Sequence, residues 1–464
     1  MTTENTRLTA EGVLVPLLSR VRHIHFVGIC GASMRTLAVA CQERGYTVTG
    51  SDRAGGDGAS YLARHGIAVS EPQGDSEGVA AAELFVFTLA APTDHPELMA
   101  ARRRGVPAVS RADLLAALLS PYRHRIGVAG THGKSTVSAM CTHLLTALDG
   151  VPAAFLGAAL SRDEDGYRAG GGELAVFEAC EYRRSFLSLA PTLAVLTNAE
   201  WDHPDCYPDH ASMLLAFSDY LHLPSLKRAI ISADDPDALA LAASLPIRVT
   251  TFGLSPTADV CARSVRAEGE GMRFSLFVSG EAVGESYIGV RGEHNVKNAL
   301  AAFAVADALG YPTDPMALSD FSGILRRLYR RGEHAGVTYY EDYAHHPTEI
   351  RAALAALRGG EGRLIAVFQP HTYTRTAALF SELASALSEA DCVIVTDVYA
   401  AREKNESGVS ARALATACGP HALYLSTPEA AALSVRSRAT LGDTVVVMGA
   451  GDLAARFFRA PLAF

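Results

Sequence analysis

Apolar residues recur along the chain in two patterns, short continuous runs and longer stretches in which they are spaced like one face of a helix. The runs predict strands of parallel sheets, because such strands are covered on both faces, and the spaced stretches predict amphipathic helices. The runs are HIHFVGIC (23–30), IGVA (126–129), GELAVFEA (172–179), TLAVLTN (192–198), RLIAVF (363–368), DCVIVTDV (391–398) and DTVVVMGAG (443–451). Their alternation with helices predicts an α/β protein with mainly parallel sheets.

The middle of the chain departs from this alternation. Residues 247–290 contain short alternating segments, which predict antiparallel strands. Residues 292–310 then predict one helix that Gly310 ends. The length of 464 residues predicts about three domains. Polar or basic segments at 120–125 and 326–334 are the candidate linker and hinge.

One glycine-rich turn joins a predicted strand to a predicted helix, and residues 127–136 read GVAGTHGKST. In that context backbone N–H groups and the helix N-terminus hold phosphate oxygens. Lys134 would reach the β- and γ-phosphates, and the Ser135 hydroxyl would bind Mg²⁺. Val128 stands where the general motif has glycine. The spacing and context nevertheless predict a nucleoside triphosphate site.

Charged and imidazole side chains follow two of the predicted strands. After the first strand come Glu178, Glu181, Arg183 and Arg184, and after the second come Glu200, Asp202, His203 and Asp205. Polar groups at the carboxyl ends of parallel strands meet at the edge where α/β enzymes build their sites. Either set alone is more typical of a solvated loop. Beside a phosphate loop in the same sheet, they favour a Mg²⁺ or Mn²⁺ site.

The first predicted strand also leads into a glycine turn. Gly28 and Gly31 can bring N–H groups close to a diphosphate, and the pair Ser51–Asp52, which contains an acidic residue, follows about twenty residues later. Cys30 and Ser33 replace the glycines of a dinucleotide fingerprint. We therefore expect a diphosphate-bearing ligand other than NAD or FAD. A dinucleotide oxidoreductase stays a remote alternative, as does a nucleotide-driven switch or motor.

Composition narrows the class of protein further. The net charge is −9 without a basic cluster, which argues against nucleic acid as a partner. No apolar run approaches the roughly 18 residues of a membrane span, and the polar first residues argue against secretion. The eight cysteines include no CxxC pair, which is typical of reduced thiols. We expect a cytoplasmic protein that does not bind membranes.

Taken together, the motifs resemble those of the Mur ligase family over nearly the whole chain. They occur in this order: HFVGICGASM, GVAGTHGKST, EACEYRRSFL, LTNAEWDHPDCY, GEHNVKNALAA, YRRGEH, EDYAHHPTEI, VFQPHTYTRT and VVVMGAGD. The resemblance implies three domains, a Rossmann-like domain at 1–122 for the uridine nucleotide, a central ATPase domain at 123–327 and a Rossmann-like domain at 328–464. The central domain would be a P-loop-type α/β sheet with added antiparallel strands. Val128 fits the family's own version of the phosphate loop.

The resemblance also implies roles for individual residues. Catalysis would use Lys134, Glu178, His203 and Arg331. The ATP site would contain Gly130, Thr131, His132, Gly133, Lys134, Ser135, Thr136, Asn295, Asn298, Arg331 and Asp342. The metal ligands for Mg²⁺ or Mn²⁺ would be Ser135, Glu178 and His203. The substrate site would contain Gly28, Gly31, Ser51, Asp52, His345, His346, His371 and Arg375. Three departures from familiar versions of the motifs are EACEYRR for EADES, Thr372 for arginine, and the pair Cys30 and Ser33 for glycines.

The reaction that the resemblance implies joins L-alanine to the lactyl carboxylate of UDP-N-acetylmuramate at the expense of ATP, through an acyl phosphate. Sister ligases that add later residues use a carbamylated lysine shortly after the metal histidine, and no lysine occurs between His203 and Lys227. A ligase that joins a preformed tripeptide to the same sugar nucleotide stays open. The enzyme would act as a monomer or a dimer in peptidoglycan precursor synthesis.

Overall fold

The computed structural model describes residues 10–53, 55–74, 77–89, 91–158, 166–360, 362–401 and 403–459. Its contacts divide these residues into two compact units. The first unit contains the described residues up to Ala199 together with Leu214–Phe252 and Ala301–Thr313. The second contains Glu200–Met213, Gly253–Leu300 and the described residues from Asp314 onward.

The first sheet of unit one is a five-stranded parallel sheet with the order β3-β2-β1-β4-β5. Its strands are β1 (His23–Val27), β2 (Thr47–Ser51), β3 (Ala68–Ser70), β4 (Leu84–Phe87) and β5 (Ala108–Ser110). A π-helical turn (Ala10–Leu14) precedes the helices α1 (Val15–Leu18), α2 (Ala32–Glu43), α3 (Gly56–Arg64), α4 (Glu77–Ala81), α5 (Pro96–Arg104) and α6 (Arg111–Leu119). Strand β1 is buried from Ile24 onward, as its continuous apolar run predicts.

A second sheet of unit one follows, and its strands have the order β12-β11-β10-β6-β9-β7-β8. They are β6 (His124–Ala129), β7 (Ala153–Phe155), β8 (Tyr167–Arg168), β9 (Leu174–Glu178), β10 (Leu193–Leu196), β11 (Arg228–Ser232) and β12 (Arg248–Gly253). All are parallel to their neighbours except β8. Helices α7 (Lys134–Ala147), α8 (His210–Leu221) and α9 (Pro236–Ala242) and the 3₁₀ segment Tyr182–Ser188 connect this part of the chain. The central strand β6 leads directly to the glycine turn.

The larger part of unit two begins with three antiparallel strands. They are β13 (Val260–Glu268), β14 (Gly271–Val278) and β15 (Glu281–Ile288), and each pairs with the next. Helix α10 (Glu293–Leu309) follows, and Gly310 ends it with a φ of +83°. Strands β13 to β15 and helix α10 confirm the predicted antiparallel strands and helix. The prediction was wrong for the start of the 247–290 segment, because β12 pairs parallel with β11.

The third sheet lies in unit two and has the order β16-β17-β21-β18-β19-β20, parallel except for the first pair. Its strands are β16 (Tyr329–His334), β17 (Val337–Asp342), β18 (Leu364–Phe368), β19 (Cys392–Val395), β20 (Ala422–Tyr424) and β21 (Thr444–Met448). Its helices are α11 (Pro347–Leu357), α12 (Tyr373–Ala378), α13 (Phe380–Leu387), α14 (Ala411–Ala417), α15 (Pro428–Arg438) and α16 (Leu453–Arg459). Two separate apolar clusters pack on its strands, one with α11, α13 and α14 and one with α15 and α16. The sheet is therefore covered on both faces.

The predicted α/β fold class is confirmed, and the strands form three sheets. Most of the basic segment 326–334, a candidate hinge, is instead the strand β16, because it pairs with β17. The sequence patterns also missed the short strands β3, β7 and β20, which contain only three residues each. Within the described residues, no helix combines the length and apolar character needed to cross a membrane.

Candidate nucleotide and substrate sites

The phosphate loop has a backbone that only glycine adopts easily. Strand β6 ends at Ala129 and α7 begins at Lys134. Gly133 caps the helix with a φ of +81°, and Gly130 has a φ of +134°. A Cβ atom on Gly130 would lie 2.0 Å from the Thr197 hydroxyl. Both glycines are therefore required by the turn.

The loop is held by two side chains that the sequence analysis did not single out. The Asn198 side-chain oxygen accepts hydrogen bonds from the backbone N–H groups of Thr131 and His132, both at 2.9 Å. The Thr197 hydroxyl donates to the His132 carbonyl at 2.6 Å. Their position could have identified both residues, because they directly follow β10, which pairs with β6. Polar residues at that edge meet the loop.

Lys134 points back into the loop. Its ammonium lies 2.6 Å from the Gly130 carbonyl, 3.0 Å from the Thr131 carbonyl and within 3.1 Å of both Glu181 carboxylate oxygens. Burial by itself lowers the pKa of Lys134, but the negative charge of Glu181 outweighs it and raises the pKa. The lysine is therefore an ammonium, the form that can bind phosphate.

Two of the three predicted metal ligands lie in unit one. Glu178 ends β9 and pairs in register with Val128, and one of its carboxylate oxygens accepts the Gly157 N–H at 2.6 Å. Ser135 stands in the first turn of α7, with only 5% of its surface exposed. A carboxylate and a hydroxyl are hard oxygen donors, the type that Mg²⁺ prefers. The third predicted ligand, His203, belongs to unit two.

The glycine turn after β1 is fixed by the end of β2. The Gly28 N–H donates to the Ser51 carbonyl at 2.8 Å, and the Cys30 N–H donates to the Asp52 carboxylate at 2.8 Å. Gly31 caps α2 in an extended conformation. Four of the predicted substrate residues thus lie close together, Gly28 and Gly31 in the turn and Ser51 and Asp52 at the end of β2, where Asp52 binds backbone.

The Ser51 side chain is buried beneath this turn. Its hydroxyl donates to Glu97 at 2.6 Å, and the second Glu97 oxygen accepts the Gly74 N–H at 2.9 Å. The His25 ring lies 3.4 Å from Glu97, and neither side chain is exposed. Burial disfavours the Glu97 carboxylate, but the adjacent His25 ring and the hydrogen bonds from Ser51 and the Gly74 N–H outweigh it and lower the pKa. Glu97 is a third residue that the sequence analysis missed.

Unit two contains a buried ion pair between Asp202 and Arg375. The guanidinium meets the carboxylate at two points, Nε to Oδ1 at 2.7 Å and Nη2 to Oδ2 at 3.1 Å. Burial opposes ionisation of Asp202, yet the charge of Arg375 holds the pKa of Asp202 well below its usual range. The predicted substrate residue Arg375 is thus a fixed, neutralised cation.

Three histidines surround this pair. Arg375 lies 3.1 Å from the His371 ring and 3.4 Å from the His203 ring. His345 is close to His371, with ring centroids 6.0 Å apart. Burial lowers the pKa of His345 to about 4 and that of His371 to about 3. Both imidazoles are therefore neutral near pH 7 and can accept or donate hydrogen bonds.

The adjacent histidines at the start of α11 point to different partners. The His345 Nδ1 atom lies 3.0 Å from the Tyr343 carbonyl. His346 caps α11 through the Thr348 N–H, and its other ring nitrogen lies 3.3 Å from the Trp201 carbonyl. Both residues precede the first residue of α11, and the backbone of His346 is extended, so the two rings diverge.

The predicted adenine-nucleotide residues of unit two occupy two places. At the head of α10, the Asn298 side chain donates to Asn295 at 3.1 Å, and Asn295 donates to the Arg291 carbonyl. At the end of β17, the Asp342 carboxylate accepts the N–H groups of Leu328 and Ala344, both at 2.6 Å. Burial raises the pKa of Asp342 to about 6.

Arg331, the last predicted nucleotide residue, projects from β16. Its guanidinium lies 3.1 Å from Glu341 and stacks 4.6 Å from the centre of the Phe458 ring. About a third of its side chain is exposed. An arginine with one carboxylate partner and an exposed edge can still donate to a phosphate.

Family models match nearly the whole chain in three consecutive parts. They are described as the Mur ligase family catalytic domain (residues 23–123), the Mur ligase middle domain (128–306) and the Mur ligase glutamate ligase domain (326–451). The chain belongs to the Mur ligase family, a class of ATP-dependent ligases.

Two curated relatives carry the same name. The UDP-N-acetylmuramate–L-alanine ligase of Salinibacter ruber is 38% identical over 460 residues, which are 97% of this chain and 95% of the relative. The enzyme of that name from Rubrobacter xylanophilus is 40% identical over 443 residues, 93% of this chain and 97% of the relative. The similarity thus spans all three parts.

Solved structures agree with this result. The UDP-N-acetylmuramate–alanine ligase of Thermotoga maritima has a TM-score of 0.80 and 27% identity, and covers 94% of this chain and 97% of its own. A murein peptide ligase from Psychrobacter arcticus has a TM-score of 0.72 with 24% identity, covers 95% of this chain and 98% of its own, and supports the fold alone.

Proposed function

We propose that this chain joins L-alanine to the lactyl carboxylate of UDP-N-acetylmuramate at the expense of ATP, in the synthesis of peptidoglycan precursors. The observation that carries the proposal is the identity of 38 to 40% over almost the full length with relatives named for this reaction. The geometry supports the proposal, since a glycine loop, a lysine and a helix N-terminus lie together as they do in phosphate sites. A cytoplasmic location and a monomer or dimer stay predictions.

In the proposed first step, a lactyl carboxylate oxygen attacks the γ-phosphorus of ATP and ADP leaves, which gives an acyl phosphate. In the second step, the uncharged amine of L-alanine attacks the acyl carbon, inorganic phosphate leaves, and the nitrogen releases a proton as the amide forms. The protein contributes mainly position and charge in such phosphoryl transfers. Lys134 and the N–H groups of residues 133–136, at the start of α7, would neutralise the phosphoryl oxygens.

We assign the metal ligands as predicted, Ser135, Glu178 and His203, with Mg²⁺ or Mn²⁺ as the ion. The hydroxyl, carboxylate and imidazole donors fit these ions. The ion would neutralise charge on the transferring phosphoryl group. Glu178 is fixed for this task by its hydrogen bond from Gly157.

The remaining predicted residues are proposed to contact the nucleotide and the substrates. Asn295, Asn298, Arg331 and Asp342 are proposed to bind the adenine nucleotide. Gly28, Gly31, Ser51 and Asp52 are proposed to hold the uridine diphosphate. For the muramyl and amino-acid groups we propose His345, His346, His371 and Arg375. Thr372 caps α12 through the Arg375 N–H, so it supports the arginine position directly.

The test is a side-by-side assay of ADP release with UDP-N-acetylmuramate and either L-alanine or the murein tripeptide. We expect release with L-alanine at least ten times faster than with the tripeptide, and none when the sugar nucleotide is omitted. Faster release with the tripeptide would favour the recycling ligase instead. Rapid hydrolysis of ATP without either substrate would favour a nucleotide switch or motor.

A further inference from the structure

The ammonium group of Lys134 has its three hydrogen-bond positions filled inside the protein. A lysine carries three N–H donors. The Gly130 carbonyl, the Thr131 carbonyl and the Glu181 carboxylate accept at 2.6, 3.0 and 3.1 Å. A phosphate oxygen can therefore bind Lys134 only after one of these three acceptors gives way.

Of the three acceptors, only Glu181 carries a charge. Its side chain is 3% exposed and that of Lys134 is 15% exposed, so the two charges interact with little screening by solvent. The two carbonyls belong to the phosphate loop itself and are fixed by its backbone. The carboxylate would repel a triphosphate, whereas the carbonyl dipoles would do so only weakly.

We propose that Glu181 is a positioning residue that competes with the nucleotide phosphates for Lys134. The inference rests on the proposed use of ATP at this loop. In the ATP-free enzyme, Glu181 keeps the ammonium charged and directed at the loop. On ATP binding a phosphate replaces Glu181 on Lys134, and the carboxylate returns to the lysine when ADP leaves.

A substitution that removes the charge of Glu181 should strengthen nucleotide binding. Glu181→Gln keeps the size of the side chain but removes its charge, so the ATP-free state loses an ion pair that the ATP-bound state does not contain. Because only the free state is destabilised, the nucleotide should bind more tightly. A charged hydrogen bond of this kind corresponds to a change of roughly tenfold. A role limited to packing or to alignment of Lys134 would weaken binding instead.

The experiment titrates the full-length protein with a non-hydrolysable ATP analogue and magnesium by calorimetry, without other substrates. We expect the dissociation constant of Glu181→Gln to be roughly tenfold lower than that of the original protein, and that of Glu181→Asp to be intermediate. In stopped-flow measurements, ADP should leave Glu181→Gln more slowly by a similar factor. Glu173→Gln is the matched control, since it removes a carboxylate from the exposed Arg123 pair of the same unit, and it should change neither value.

The outcomes separate this proposal from the proposed function. Unchanged or weaker binding in Glu181→Gln would overturn the role of Glu181 while leaving the ligase assignment intact. If Glu181→Gln does not fold, Glu181→Asp decides, because weaker binding by that variant contradicts the competition. Failure of the original protein to bind the analogue would overturn both proposals.

Discussion

Asp202 and Arg375 form a buried ion pair with two contacts of 2.7 and 3.1 Å, although 173 positions separate them in the sequence. The pair fixes the guanidinium beside the rings of His371 and His203. It also attaches the segment after β10 to helix α12. A bidentate arginine–carboxylate contact is geometrically specific, so it sets the direction of both side chains.

Breaking this pair should be costly for folding. Asp202→Asn leaves the Arg375 charge buried without its carboxylate, and we expect the free energy of unfolding to fall by about 3 to 5 kcal/mol. Urea unfolding followed by circular dichroism at pH 7 measures the change. Glu429→Gln serves as the control, because its pair with Arg456 is more than 40% exposed, and it should cost less than about 1 kcal/mol. Equal losses in the two variants would contradict the buried pair.

Removal of the loop lysine should stop the chemistry but not the binding of the sugar nucleotide. Lys134→Ala deletes the proposed charge on the transferring phosphoryl group, and we expect ADP release to fall by at least about 100-fold. The Gly28 turn belongs to another sheet, so the dissociation constant for UDP-N-acetylmuramate should stay within twofold. Coupled ADP assays and calorimetry provide the two values. Turnover at the original rate would show that the loop is assigned wrongly.

The loop backbone should tolerate no side chain at Gly130. Gly130→Ala places a methyl group 2.0 Å from the Thr197 hydroxyl in a backbone region that disfavours alanine. We expect the affinity for ATP to drop at least tenfold, measured by calorimetry with the non-hydrolysable analogue. Gly172→Ala is the matched control, because a methyl group there would have its nearest neighbour at 3.9 Å. Normal ATP binding by Gly130→Ala would contradict the tight turn.

The histidine at the head of α10 should make stability depend on pH. Burial lowers the pKa of His294 to about 4 from 6.5. The unfolded chain therefore binds the proton first, and stability is present above pH 6.5 and lost as the pH falls towards 4. Between pH 7 and pH 5 this one group should remove about 2 kcal/mol from the free energy of unfolding.

His294→Gln tests this expectation, since glutamine does not titrate. Asp342, with a pKa raised to about 6, changes stability in the opposite direction over the same range. The difference between the two proteins is therefore the informative quantity, not the pH dependence of either one. Urea unfolding at pH 7 and pH 5 should show that the original protein loses about 2 kcal/mol more than His294→Gln. A parallel loss would contradict the lowered pKa.

Most of the strands and the phosphate loop were recognisable from local patterns in the sequence. Continuous apolar runs define the strands β1, β6, β9, β10, β18, β19 and β21, because a strand buried on both faces must be apolar throughout. The turn before Lys134 could be recognised because its glycines and its lysine are neighbours in the chain. Strands of three residues, such as β20, carry too little periodicity to be recognised.

Side chains far away in the sequence also hold these elements, and their contacts are apparent only in the folded chain. Asn198 holds the loop, Glu181 holds its lysine and Asp202 holds Arg375, and in each pair the partners lie 47 or more positions apart. No local pattern encodes such contacts, because they depend on which strand lies beside which in the sheet. The adjacency of β10 and β6 places Asn198 at the loop, although the chain passes through β7, β8 and β9 between them.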